Sequence, residues 1–218
     1  MKAVPQLVLG SGSPRRKELL ALFGMPFSVR PAEIDEAQMP GEAAGDYVAR
    51  LAGEKAASNG LEPQEALIAA DTTVAFEGRL IGKPRDAAEA LEFLQNMRGR
   101  CHQVHSAVCL RYQERQQLES CTTAVYMRRY TPEELDAYIS SEDWRDKAGG
   151  YAIQHAGFHP VERIEGCHAN VMGLPLCSLQ NLFEAAGLSG NADIARDCMR
   201  YLQIDCTVWR EIRRIETA

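Results

Sequence analysis

The chain contains more short apolar segments with strand character than helical segments, and this excess is the strongest constraint on its fold. Strands are predicted at Gln6–Leu9, Phe27–Arg30, Ala66–Ala70, His102–Tyr112, Cys121–Met127, Tyr151–Ile153 and Val161–Ile164, with a hairpin over Thr72–Ile81. Helices are predicted at Pro14–Phe23 (capped by Ser13), Ala43–Asn59, Asp86–Met97, a short segment after Thr131 and Leu176–Ala186. Strict alternation of strand and helix would give equal numbers, so we expect an α/β fold in which helices flank a mixed sheet.

The charge balance argues against two classes of partner. The 218 residues carry a formal net charge of −6 at neutral pH. Nucleic acid and anionic membranes attract proteins with a positive surface field, so we expect neither as a general partner. The length is sufficient for one domain with a substantial apolar core.

The cysteine pattern predicts a reducing environment. Seven cysteines are present, and no pair has the spacing C-x-x-C that is typical of a zinc ribbon or a redox motif. The apolar run near the start is too short for a signal peptide or a membrane span, so a cytoplasmic protein is expected. Cys101, His102 and His105 could meet Cys167 and His168 around a metal, although packing roles are the simpler interpretation.

Three consecutive cations follow a small, polar segment at the start of the first predicted helix. Arg15, Arg16 and Lys17 come directly after Ser11-Gly12-Ser13-Pro14. A helix N-terminus already carries a partial positive charge, so this arrangement is unfavourable unless an anion binds there. The segment therefore indicates a phosphate site, and the alternative is a capped helix with surface arginines.

The predicted hairpin brings a carboxylate and an ammonium together. A two-residue turn at Glu77-Gly78 would place Thr72 opposite Lys83, with Asp71 beside that lysine. An aspartate that ends an apolar strand is costly to bury without a cation or hydrogen-bond donors. A structural Asp–Lys pair is the alternative interpretation.

Further acidic residues follow the second predicted strand, and a lysine lies in the next helix. Glu33, Asp35 and Glu36 form the acidic group, and the lysine is Lys55. Carboxylates near a basic phosphate site are what Mg²⁺-dependent hydrolysis of a phosphoanhydride requires. Taken one at a time, each of these side chains is more simply explained as solvated surface.

A pair of glycines precedes an amide side chain near residue 150. Gly149 and Gly150 permit a close backbone approach, and Gln154 has both donors and an acceptor. Such an amide can recognise the adjacent N–H and carbonyl groups of uracil or thymine. The alternative is an ordinary turn.

Taken in order, these segments resemble the Maf family of nucleotide pyrophosphatases. The matching segments are SGSPRRKELL, IDE, YVARLAGEKA, AADTTV, GRLIGKP, RGRCHQVHSAV, DKAGGYAIQ and NVMGLPL. They extend from about residue 7 to residue 187. The resemblance implies a fold like that of inosine-triphosphate pyrophosphatases, with an extended sheet and a cleft between two lobes. It also implies a divalent metal ion (Mg²⁺ or Mn²⁺) and cleavage between the α and β phosphates.

The resemblance also assigns roles to individual residues. Asp71 matches the proton acceptor of the family. The positions that match its phosphate- and metal-handling set are Ser11, Arg15, Arg16, Glu36, Lys55 and Lys83. Of these, Asp71, Glu36 and Lys83 are predicted to act in catalysis, and Glu36 and Asp71 to bind the metal. Arg15, Thr72 and Gln154 match the positions that mark the branch preferring dTTP and UTP, as does the Ile-Gln pair at 153–154.

Two positions and the C-terminal segment depart from the family pattern. His155 replaces a usual glycine, which bears on the choice of base, and Ser106 replaces a usual threonine. Residues 188–218 are predicted as a helical extension of a domain spanning residues 1–187. Val208, Ile212 and Ile215 have helical spacing, so the extension would pack on the domain or on a partner, and a homodimer stays open.

Two alternatives to a dTTP/UTP pyrophosphatase remain at this point. One is the same reaction on a modified or purine nucleotide. The other is a nucleotide-binding regulator of cell division, against which the retention of Asp71 and Glu36 argues.

Overall fold

The computed structural model describes residues 5–214, which form one mixed sheet with helices on both faces. The strands are β1 (Gln6–Leu9), β2 (Phe27–Val29), β3 (Glu65–Phe76), β4 (Arg79–Ile81), β5 (Cys101–Tyr112), β6 (Arg115–Met127) and β7 (Val161–Glu165). The helices are α1 (Pro14–Ala21), α2 (Ala44–Ser58), α3 (Ala87–Met97), α4 (Pro132–Ser140), α5 (His168–Met172), α6 (Leu176–Ala185), α7 (Ile194–Leu202) and α8 (Trp209–Ile212).

The strand order is β2-β1-β3-β5-β6-β7, and β4 pairs with the far end of β3. The β1 strand is parallel to both of its neighbours, and the other pairs are antiparallel. The predicted α/β fold, a mixed sheet flanked by helices, is therefore confirmed. Within residues 5–214, no helix has the length and apolar character needed to cross a membrane.

At one end of the long strands, alternate side chains enter two apolar layers. Leu67 and Ala69 pack under α2 with Val48 and Ala52. The intervening residues of β3 pack on the opposite face with α1, α5, α6 and α7. This end of the sheet is therefore covered on both faces, as the near-continuous apolar run at Ala66–Ala70 implies.

At their other end, β3 and β5 enter a second core. Val74 and Val104 pack there with side chains of α3 and α4, including Leu94 and Tyr138. A strand of twelve residues spans about 40 Å, which is long enough to serve two cores. The polar segment Asp71–Thr73 lies between them. The two lobes implied by the resemblance thus correspond to two cores on shared strands.

The hairpin prediction is confirmed in its register and wrong in its extent. Phe76 pairs with Arg79 and Val74 with Ile81, as a two-residue turn requires, and both turn residues have positive φ. The pairing ends there, because the carbonyl of Gly82 accepts the amide of Gly149 and no strand continues. Lys83 therefore does not face Thr72, whose strand neighbour is Ser106.

Other boundaries also differ from the predictions. The polar loop expected before Cys121 belongs largely to β6, whose pairing with β5 extends to Tyr112 and Arg115. The strand predicted at Tyr151–Ile153 is wrong, because the amide of Ala152 donates to the hydroxyl of Tyr138 and not to a neighbouring strand. Ser13 precedes α1, but its side chain makes no capping hydrogen bond.

The C-terminal segment packs against the rest of the protein. Ile194 and Leu202 of α7 are buried in the same core as Leu19 of α1 and Phe183 of α6. Val208 and Ile212 lie against that core, while Ile215 is outside the described residues. The division of the chain at residue 187 stays a prediction.

Candidate active site

Arg16 forms one half of the site by joining α1 to β3. Its Nη1 donates to Ser11 Oγ at 3.2 Å, its Nη2 to Thr72 Oγ1 at 3.2 Å, and its Nε to the carbonyl of Gly173 at 2.9 Å. Ser11 Oγ also accepts the amide of Ser13 at 3.3 Å. Burial lowers the pKa of Arg16, and the nearby negative charge of Asp71 opposes this. A guanidinium always remains charged in proteins, so a fixed positive charge lies at the start of α1.

Lys55 forms the other half of the site by joining two carboxylates. Its Nζ lies 2.5 Å from Asp71 Oδ1 and 2.6 Å from Glu36 Oε1. Lys55 and Asp71 are 8% and 7% exposed, and Glu36 is more open to solvent. Asp71 and Thr72 are adjacent in β3, so the two halves of the site are neighbours.

Positive groups around Glu36 keep its carboxylate ionised. Burial raises the pKa of Glu36, but the hydrogen bond and charge of Lys55, with smaller effects of Lys83 and Arg16, lower it below its usual value. Lys83 is therefore close enough to act on the site through its charge, although it makes no hydrogen bond to the other described residues of the site. A carboxylate that is ionised at neutral pH can bind a cation.

Arg15 and Gln154 lie away from this hydrogen-bonded cluster. Burial lowers the pKa of Arg15, opposed by the charges of Asp143 and other groups from the second lobe. Gln154 is exposed in the segment that follows α4. Among the described contacts, neither side chain donates to Asp71 or Glu36, whose partner is Lys55, so the sequence-derived roles of Arg15 and Gln154 stay predictions.

The His155 side chain is held by its own loop and by Tyr138. Its Nδ1 accepts the amides of Phe158 at 2.9 Å and Gly157 at 3.3 Å. Its ring packs edge-on against Tyr138, with centroids 5.0 Å apart. These contacts give His155 a structural role in holding the loop that carries Gln154.

Two residues that contact the site, Tyr47 and Ser106, were not among the predicted site residues. The hydroxyl of Tyr47 donates to the carbonyl of Glu36 at 2.9 Å, and the hydroxyl of Ser106 lies 2.8 Å from Thr72 Oγ1. In the sequence, Tyr47 stands out only as the first residue of the family segment YVARLAGEKA, and Ser106 only as a departure from the family pattern. Both contacts join distant parts of the chain, so spacing gave no signal for them.

The site suits a divalent cation only with a ligand's help. Among residues 5–214, no three His, Cys, Asp or Glu side chains converge as a metal site, which contradicts the alternative of a centre at Cys101, His102, His105, Cys167 and His168. Glu36 and Asp71 do converge on one ammonium group. Mg²⁺ is commonly bound by one or two carboxylates together with substrate phosphates, so this pair fits such an ion.

A fixed cation fork beside two carboxylates, in the polar gap between two cores, defines a site suited to a phosphorylated ligand. Residues 6–186 match the family model described as Maf-like protein. The chain therefore belongs to the Maf-like family.

Two curated relatives are similar along most of their length, and both are named dTTP/UTP pyrophosphatase. The protein of Roseobacter denitrificans is 44% identical over 184 residues, which cover 84% of this chain and 98% of that one. The protein of Ruegeria sp. is 45% identical over 181 residues, covering 83% and 94%. A solved nucleoside-triphosphatase (dITP/XTP pyrophosphatase) of Mycobacterium abscessus gives a TM-score of 0.40 at 16% identity, covering 84% and 97%, which is too weak a similarity to support an argument.

Proposed function

We propose that the protein hydrolyses dTTP and UTP to the nucleoside monophosphate and pyrophosphate, with Mg²⁺ or Mn²⁺ as cofactor. The observation that carries the proposal is the junction of Asp71 and Glu36 on Lys55, next to the Arg16 fork. The names of the curated relatives support the choice of substrate.

The residues of the site divide the chemistry between them. Ser11 and Arg16, with Arg15 and Lys83 at the periphery, bind the triphosphate and neutralise its charge. Asp71 orients a water molecule and takes its proton, while Lys55 holds the carboxylate in position. A divalent ion bound by Glu36 and Asp71 would supply further charge neutralisation at the phosphates.

Base recognition is assigned to the second lobe. The exposed amide of Gln154 can pair with the N3–H and a carbonyl of uracil or thymine. The neighbouring His155 uses its Nδ1 to accept the amides of Phe158 and Gly157. Thr72 also marks this branch, but its hydroxyl contacts Arg16. Its part in the choice of base is therefore indirect.

The products identify the bond that is cut. With UTP and Mg²⁺, ion chromatography should detect UMP and pyrophosphate in equal amounts, and chelation by EDTA should stop their release. UDP and orthophosphate would instead show cleavage at the γ phosphate, and the proposal would be wrong. A panel of common and modified triphosphates then tests the proposed preference for dTTP and UTP against the purine alternative.

Two further features belong to the proposal. A cytoplasmic location of the protein is supported by its seven cysteines, which are all free thiols. A homodimer stays a prediction, which light scattering of the purified protein would check.

A further inference from the structure

Arg16 is the first member of a chain of hydrogen bonds that continues through Thr72 and Ser106 to Asn170. Arg16 uses three of its five N–H groups on the protein, through Nε, Nη1 and Nη2. Two N–H groups therefore remain for a ligand. Their direction depends on what holds the other three.

The direction of this chain follows from the chemistry of its last acceptor. Ser106 Oγ lies 3.0 Å from the carbonyl of Asn170, which can only accept, so the hydroxyl hydrogen of Ser106 points there. The Thr72 hydroxyl, 2.8 Å away, must then donate to Ser106. The lone pairs of Thr72 Oγ1 are left to accept from Arg16 Nη2.

The side chains at the far end of this series of hydrogen bonds are fully buried. Ser106, Asn170 and Thr123 are 0% exposed. Asn170 Nδ2 donates to the carbonyl of Val104 at 3.0 Å and to Thr123 Oγ1 at 2.8 Å. The acceptor for Ser106 is therefore held between β5 and β6.

Without the Ser106 hydroxyl, the hydroxyl hydrogen of Thr72 would turn to another acceptor that Arg16 already uses. The carbonyl of Gly173 lies 3.5 Å from Thr72 Oγ1 and already accepts from Arg16 Nε. A bond from Thr72 to that carbonyl would compete with Arg16 and weaken two of its three contacts. Neutral hydroxyl chains of this kind strengthen each member when complete.

We propose that Ser106 is a positioning residue, which directs the Thr72 hydroxyl and thereby holds the two remaining N–H groups of Arg16 towards the oligophosphate of the ligand. The ligand class rests on the proposed function. Ser106 itself touches neither ligand nor reacting atoms.

The first test measures binding without turnover. Inorganic tripolyphosphate is titrated calorimetrically into wild type, Ser106→Ala and Ser106→Thr. Ser106→Ala should weaken binding about tenfold, because one charged hydrogen bond between Arg16 and the anion would be lost. Ser106→Thr keeps the hydroxyl and should stay within about twofold of wild type. Ser178→Ala removes an equally buried serine on α6 and is the matched control, with unchanged affinity expected.

A double-mutant cycle shows whether Ser106 acts through Arg16. In an Arg16→Lys background the fork is absent, so Ser106→Ala should cost less than about twofold in tripolyphosphate affinity. An equal loss in both backgrounds would overturn the proposal, as would wild-type affinity of Ser106→Ala. If Ser106→Ala fails to fold, Ser106→Cys keeps the size of the side chain, replaces the hydroxyl with a weaker hydrogen-bonding thiol and must give a background-dependent loss in the same direction.

The binding result is independent of the proposed reaction. If wild type releases no pyrophosphate from any triphosphate, the proposed function fails, while an affinity loss confined to Ser106→Ala still supports the positioning role. If wild type hydrolyses UTP, Ser106→Ala should raise KM more than it lowers kcat, because Arg16 binds phosphate in the ground state as well.

Discussion

At the scale of single residues, the charge of Asp71 can be removed without leaving Lys55 unpaired. Asp71→Asn keeps the side-chain shape, and Lys55 retains Glu36 at 2.6 Å. We therefore expect a folded variant whose kcat for UTP falls by about 10²–10⁴, the usual effect of losing a general base. Steady-state kinetics measures the loss of kcat, and a circular-dichroism melt shows whether the variant is folded.

Asp46→Asn is the matched control for this variant, because Asp46 is an exposed aspartate in the first turn of α2. It should keep wild-type turnover. If Asp71→Asn also keeps it, Asp71 is not the base, and Glu36 becomes the residue to test next.

The amide of Gln154 is expected to govern discrimination between bases. Uracil offers an N3–H donor that cytosine lacks, and an unpaired polar group in the complex costs roughly 1–3 kcal/mol, or about 5- to 150-fold. Gln154→Ala should therefore reduce the ratio of kcat/KM for UTP over CTP more than it reduces the rate with UTP. Gln38→Ala, in the exposed loop before α2, should leave the ratio unchanged. Equal use of UTP and CTP by wild type would contradict the assignment.

At the scale of elements, α7 contributes to the core that supports α1, the helix in which Arg16 lies. Ile194 is 1% exposed and shares a core with Leu19 of α1. Ile194→Ala should lower the free energy of unfolding by about 2–5 kcal/mol, the range for deleting a buried isoleucine side chain to alanine. Urea denaturation gives the value.

Arg196→Ala provides the comparison on the same helix. The Arg196 side chain is 67% exposed and pairs with Asp193, so the loss should stay within about 1 kcal/mol. Similar small losses for both variants would show that α7 is not part of the cooperative core.

The elements also show which sequence signals were sufficient. Gly78 and the apolar alternation around it predicted the register of the β3–β4 hairpin, because a two-residue turn fixes every pair that follows. The same signals missed residues 115–120 as part of β6, since Leu118 is the one apolar residue in that segment and it is exposed. For the site, the motifs identified Arg16, Lys55 and Asp71, whereas the contact of Ser106 with Thr72 depends on strand pairing, which local sequence does not specify.

At the scale of the whole molecule, a buried histidine makes stability depend on pH. His102 is 2% exposed, its Nε2 lies 2.7 Å from the Tyr151 hydroxyl, and burial lowers its pKa to about 4. The unfolded chain, with a histidine pKa of about 6.5, binds a proton at pH values where the folded protein does not. The contribution of His102 to the free energy of unfolding is therefore fully present above about pH 6.5. It decreases as the pH falls towards 4, by on the order of 3 kcal/mol.

His102→Gln cannot titrate, so its urea midpoint should fall less between pH 6.5 and pH 4.5 than that of wild type. His159→Asn removes an exposed histidine and should retain the wild-type decrease. An identical decrease in all three proteins would assign the acid sensitivity to other groups.

The two cores share β3 and β5, whose pairing is continuous from Ala66–Tyr112 to Ala75–Gln103. If one core unfolded, β3 and β5 would separate, and the other core would lose backbone hydrogen bonds of the same strand pair. We therefore expect the two lobes to unfold together, in a single calorimetric transition. Amide hydrogens of Asp71–Thr73, in the polar segment between the two cores, should exchange as slowly as those of the cores on either side.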